Sequence, residues 1–227
     1  MSDKPLAVIV GVGDGLSASL ARLLAREGYD LVLASRDIAK LSALAGATSA
    51  TIHACDAADE TSVNALFAAL PRAPDVVVYN PSWRVRGPLV ELNPSHVRKT
   101  LDVTAFGAFL VAQQAARLML AKGAGTIVFT GASAGVKGYA KSAPFAMGKF
   151  ALRGLAQSMA RELHPQGIHV AHVVIDGGIK SATRVDPEGR DHLLDPDAIA
   201  QTYLQLIRQP RNAWSWEIEV RPWVEVF

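Results

Sequence analysis

Three glycines interrupt the sequence directly behind the apolar run Leu6 to Gly11, in the order Gly11-Val12-Gly13-Asp14-Gly15-Leu16-Ser17-Ala18. Glycines at such spacing permit a tight turn and bring backbone N–H groups close to a diphosphate. A helix starting behind the turn adds its own free N–H groups. Two registers fit, Gly13-x-Gly15-x-x-Ala18 and the looser Gly11-x-x-x-Gly15-x-Ser17. Both put phosphates on the same turn, so Gly11, Gly13, Asp14, Gly15 and Leu16 are candidate cofactor contacts. A plain turn is the bland alternative, and the strand–turn–helix context favours the binding one. The next apolar run ends at Ala34-Ser35-Arg36. A carboxylate there would take the ribose hydroxyl of NAD, whereas an arginine accommodates the 2′-phosphate of NADP. Ser35 and Arg36 therefore favour NADP(H) over NAD.

Other residue types offer less. Six histidines are scattered and there is one cysteine, Cys55. His169 and His172 lie three apart in an expected strand and so face opposite sides, and no metal-binding spacing occurs. Gly131-Ala132-Ser133-Ala134-Gly135 has the outward form of a hydrolase nucleophile elbow behind a strand. The first glycine turn argues against that reading. Trp83, beside Arg84 and Arg86, is placed to border a substrate space, while Trp214, Trp216 and Trp223 suit core or subunit contacts.

The elements that must position these groups alternate. Strands are expected at Leu6–Gly11, Leu31–Ala34, Thr51–Ala54, Asp75–Tyr79, Thr126–Thr130, Ile168–Ile175 and Trp216–Val220. Helices are expected at Ser17–Glu27, Asp37–Leu44, Asp59–Leu70, Ser95–Lys122, Ser142–Leu163 and Pro196–Arg208. Repeated βα units imply an α/β fold, a Rossmann-type doubly wound parallel sheet of about seven strands with helices on both faces. The 227 residues, half of them hydrophobic, suit a single domain over 1–227. A net charge of +2 without any run of five basic residues lacks the footprint of a nucleic-acid binder. No stretch of 18 uninterrupted apolar residues occurs, so no membrane span is expected. One cysteine excludes an internal disulfide, and Met1 to Pro5 is not a secretory pattern, so a cytoplasmic location is expected.

Along nearly its whole length the chain resembles the short-chain dehydrogenase/reductase family. Asp56 matches the family's aspartate beside the adenine, Asn80-Pro81-Ser82 stands at its N-A-G motif, and Ile175-Asp176-Gly177-Gly178-Ile179 resembles its P-G-x-I segment. Ser181 stands near its nicotinamide-contacting threonine. The resemblance implies cofactor contacts at Asp56, Asn80, Gly177, Ile179 and Lys149. Phe145-Ala146-Met147-Gly148-Lys149 lies where the family has Y-x-x-x-K, with Phe145 in place of the tyrosine. The family serine falls on Ala132, one residue before Ser133, and its helix asparagine falls on Thr104. Only Lys149 of that catalytic set is intact.

Phenylalanine cannot transfer a proton. Three substitutes are available: Tyr139, ranked first for its phenol; Lys149, if burial lowers its pKa; and Ser133 with a water. The leading reading is an NADP(H)-dependent oxidoreductase acting on a carbonyl/alcohol pair with an altered proton-transfer set. The alternative is a non-catalytic NADP(H)-binding sensor or partner subunit. The polar segment 180–196, with Pro187 and Gly189, reads as a substrate lid. The family's habit implies a homodimer or homotetramer.

Overall fold

The computed structural model describes residues 4–181, 183–186 and 189–225; Pro187 lies outside them. The strands are β1 (Leu6–Val10), β2 (Asp30–Ser35), β3 (Thr51–Ala54), β4 (Val76–Tyr79), β5 (Gly125–Thr130), β6 (Ile168–Ile175), β7 (Gly178–Ile179), β8 (Leu193–Leu194) and β9 (Glu217–Val220). The helices are α1 (Leu16–Arg26), α2 (Ser42–Thr48), α3 (Glu60–Ala68), α4 (Pro94–Leu101), α5 (Gly107–Lys122), α6 (Ala143–Leu163) and α7 (Pro196–Ile207). Seven strands make one parallel sheet in the order β3-β2-β1-β4-β5-β6-β9. This is the doubly wound sheet expected from the alternating pattern.

Strands β1, β4 and β6 are buried along their full length, as parallel strands covered on both faces must be. On one face Val8, Val77, Ile127 and Phe129 pack against Val111, Ala115 and Leu152 of α5 and α6. On the other, Ile9, Val78, Val128 and Val173 meet Leu20, Leu24, Ile199 and Tyr203 of α1 and α7. Chain order reverses at the β1/β4 junction, so the loops behind these strands run apart and open a crevice at their carboxyl ends.

Three elements differ from expectation. The helix expected at 37–44 is a 3₁₀ turn, Ala39–Leu41, followed by α2. Asp37 still accepts the Ala39 N–H at 3.1 Å, but the cap serves the tight turn that buries Leu41. The helix expected over 95–122 contains a π turn at Asp102–Phe106. The Tyr79 hydroxyl donates to the Val103 carbonyl within this turn. Lastly, a short parallel ribbon pairs β7, just before 180–196, with β8 inside that segment.

By length and composition the continuous helical run Pro94–Lys122 is sufficient to cross a membrane. Leu110, Val111, Ala115 and Met119 of this run are buried in the core.

Candidate functional site

The crevice divides into three adjoining cavities of about 310, 390 and 610 Å³. Asn80, at the end of β4, lines all three. Gly11 joins the first to the second, and Ile179 and Arg184 join the second to the third. The result is one trough across the sheet's switch point.

The first cavity is walled by Ser35, Arg36 and Asp56 at the ends of β2 and β3. The Arg36 guanidinium lies 6.0 Å from the Trp83 ring centre, with the Lys99 ammonium 4.1 Å from the same ring. Asp56 accepts the Ala58 N–H at 3.0 Å and so also shapes its own turn.

The second cavity lies over the glycine turn and the start of α1, lined by Gly11, Gly13, Gly15 and Leu16. Gly11 has φ +80°, and a Cβ there would fall 2.5 Å from Pro81, so the conformation and the space both require glycine. Asn80 Nδ2 donates to Ser17 Oγ at 2.7 Å and to the Gly11 carbonyl at 3.3 Å, tying β4 to the turn. Gly15 caps α1 with no side chain over its first N–H groups. That open end, close backbone and Arg36 at the far wall form a cradle suited to a phosphorylated dinucleotide. Asp14 lies in the same turn with its side chain exposed, outside the residues that line these three cavities.

The third cavity collects Ser133, Tyr139, Phe145, Lys149, Gly177 and Ile179. Lys149 is buried on α6 and donates from Nζ to the Thr130 carbonyl at 2.7 Å. Burial disfavours the ammonium and lowers its pKa to about 7. Its Nζ lies 5.8 Å from the centre of the Phe145 ring. Ser133 opens a 3₁₀ turn, Ser133–Gly135, beside Ala132, and no helix of a nucleophile elbow starts there. Tyr139 is 43% exposed and packs its ring 5.6 Å from the Lys137 ammonium. Thr104 sits on the π turn, where its Oγ1 accepts the Trp83 backbone N–H at 3.3 Å. Gly148 allows α6 to close on that turn, since a Cβ would meet Thr104 at 3.0 Å.

Beneath the site runs a polar chain that sequence reasoning missed. Parallel pairing sets His172 of β6 beside Glu217 of β9, and His172 Nδ1 lies 3.0 Å from Glu217 Oε2. Arg153 of α6 grips the same carboxylate with two bonds of 2.7 Å. Burial takes the His172 pKa down to about 4, against the opposing pull of Glu217, so the neutral ring donates from Nδ1. Burial pushes Glu217 upward, but the bonds from Arg153 and His172 outweigh it and hold the carboxyl below its usual range. The other ring nitrogen, Nε2, is buried without a hydrogen-bond partner among the described residues, directly beneath Gly131. Such pairing across strands leaves no mark in the linear order.

Asp176, at the family's proline position, is buried and lies 3.3 Å from Arg221 and 3.8 Å from Lys137. Arg84 and Arg86, noted in the sequence only as neighbours of Trp83, line the third cavity, with Arg84 4.9 Å from the centre of the Phe145 ring.

Comparison with known proteins agrees with this geometry. A family model described as short chain dehydrogenase matches residues 5–190. A short-chain dehydrogenase from Rhodopseudomonas palustris is 35% identical and superposes with a TM-score of 0.85, over 96% of this chain and 99% of that one. A metagenomic short-chain oxidoreductase in complex with NADP is 29% identical, with a TM-score of 0.82 over 96% of this chain and 97% of that one. Carbonyl reductase family member 4 of Danio rerio is 29% identical over 220 residues, 90% of this chain and 92% of that protein.

Proposed function

The chain belongs to the short chain dehydrogenase family, and on that premise we propose an NADP(H)-dependent oxidoreductase that interconverts a carbonyl and an alcohol, with Lys149 carrying the proton. The observation that carries this reading is Lys149 itself, buried at the cavity floor beside Phe145 with its pKa brought to about 7. A general acid or base works best when its pKa lies near the working pH. The choice of NADP(H) is supported by Ser35 and Arg36 at the first cavity and by the NADP complex of the metagenomic relative.

When bound, NADP(H) supplies or accepts the hydride. Gly11, Gly13, Gly15 and Leu16 present backbone to its diphosphate, and Ser35 and Arg36 receive the 2′-phosphate. Asp56 borders the adenine side, while Asn80 braces the glycine turn against β4. Gly177 and Ile179 flank the third cavity, where the substrate lies. Reduction consumes one proton, delivered from the Lys149 ammonium at Nζ; oxidation returns it to the neutral amine. Tyr139 lines the same cavity and offers a second route through its phenol, and Ser133 with a water a third.

The wider expectations belong to the same reading. We take 1–227 as a single domain, with 180–196 as its lid, since Ser181, Thr183 and Arg184 line the trough. A homo-oligomer is supported by Phe106 and Phe109, exposed and stacked with centres 6.2 Å apart, and by exposed Met147 and Phe150 on α6. Burial of Leu110, Val111 and Ala115 in the core favours placing the long helix outside any membrane, and the lone Cys55 suits a reduced, cytoplasmic setting.

The test is NADPH oxidation across a panel of aldehydes and ketones, by the native chain and by Phe145→Tyr. Slow native turnover, raised about a hundred-fold in the variant, is the expected result. Native protein that binds NADPH and oxidises none of it across the panel supports the sensor instead.

A further inference from the structure

We infer, resting on the oxidoreductase reading, that the substrate carries a carboxylate held at the mouth of the third cavity by Arg84 and Arg86, with Arg184 facing them. The three arginines come from two separate segments and line one cavity. No ion pair joins any of them to a carboxylate among the described residues. Two carboxylates share the wall. Asp176 is already engaged by Arg221 and Lys137, and Glu225 makes no ion pair with the arginines.

Like charges gathered without a partner repel, and a bound anion removes that cost. Partial burial together with Arg86 and Arg184 moves the Arg84 guanidinium below its usual pKa, the mark of a cation in want of a counter-charge. The Phe145 ring orients it, because a guanidinium held against an aromatic face keeps its planar fork in one direction. A planar fork matches a carboxylate with two parallel bonds.

Position narrows the class further. Arg84 and Lys149 both lie against Phe145, at 4.9 and 5.8 Å from its centre. A group held by Arg84 and a carbon beside Lys149 therefore belong to one small molecule, an oxo acid or the matching hydroxy acid. Arg184 also lines the phosphate cavity, so Arg84 and Arg86, which line the third cavity alone, carry the assignment.

Calorimetric titration with levulinate, its methyl ester and dihydroxyacetone phosphate reads this site directly, in the presence of NADP and without hydride transfer. Levulinate should bind more tightly than the ester. Its affinity should fall about ten-fold or more in Arg84→Met and in Arg86→Met. Should Arg84→Met fail to fold, Arg86→Met on the exposed loop keeps the comparison. Equal binding of acid and ester, or unaltered binding in the variants, overturns the inference; tighter binding of the phosphate ester overturns the carboxylate assignment. NADPH oxidation tests the enzyme reading separately: levulinate binding with no oxidation across the whole carbonyl panel, levulinate included, sinks that reading and leaves the anion site standing.

Discussion

Lys149 is a cation placed where a cation is poorly tolerated. Its ordinary pKa of 10.5 falls to about 7 in the fold because burial strips water from the ammonium. Between these two values the unfolded chain binds a proton that the folded chain does not. The stability cost is therefore full below pH 7, and shrinks as pH rises toward 10.5. Lys149→Met should raise the melting temperature of the cofactor-free protein most at pH 6 to 7, flatten the rise in stability between pH 7 and 10.5, and lower turnover about a hundred-fold or more. A variant whose stability keeps the native pH dependence would show that Lys149 is not the group titrating there. The lysine was legible through the resemblance, which sets Phe145-Ala146-Met147-Gly148-Lys149 at the family's Y-x-x-x-K. It gave no sign of the neutral state, which depends on how deeply α6 sinks onto β5.

At the scale of elements, the glycine turn and the paired layers could be read in advance because their causes are local: apolar runs, glycine spacing and helix periodicity. The π turn could not: the contact made there, from a hydroxyl on β4 to a carbonyl 24 residues away, is not local. Nor could the seat of His172, which depends on β9 lying beside β6. The first residue of the loop after β5, Gly131, belongs to this hidden set. A Cβ there would stand 2.4 Å from His172 Nε2. Gly131→Ala should therefore cost about 1–3 kcal/mol of stability through overpacking, visible in urea unfolding at pH 7. A cost of a few tenths would mean that the ring yields freely and that the Arg153–Glu217–His172 chain is loosely held.

The whole molecule sets the remaining terms. Strand order reverses at β1/β4, and that reversal gathers residues from Gly11 to Arg184 into one trough. The outer face of α5 and α6 keeps large apolar groups in water, among them Phe109 at 40% and Phe150 at 45% exposure. Apolar patches of this kind mark association surfaces. Phe109→Glu with Phe150→Glu should lower the mass seen by light scattering to that of a single chain, without loss of helix signal. An unchanged mass would move the contact elsewhere.

The proposal rests on a trough that grips a phosphorylated dinucleotide, and calorimetric titration of the native chain with NADPH and NADH measures that grip most directly. NADPH should bind saturably, at least about ten-fold tighter than NADH, and the preference should be lost in Arg36→Glu. Absence of binding by either coenzyme at millimolar concentration would contradict the proposal.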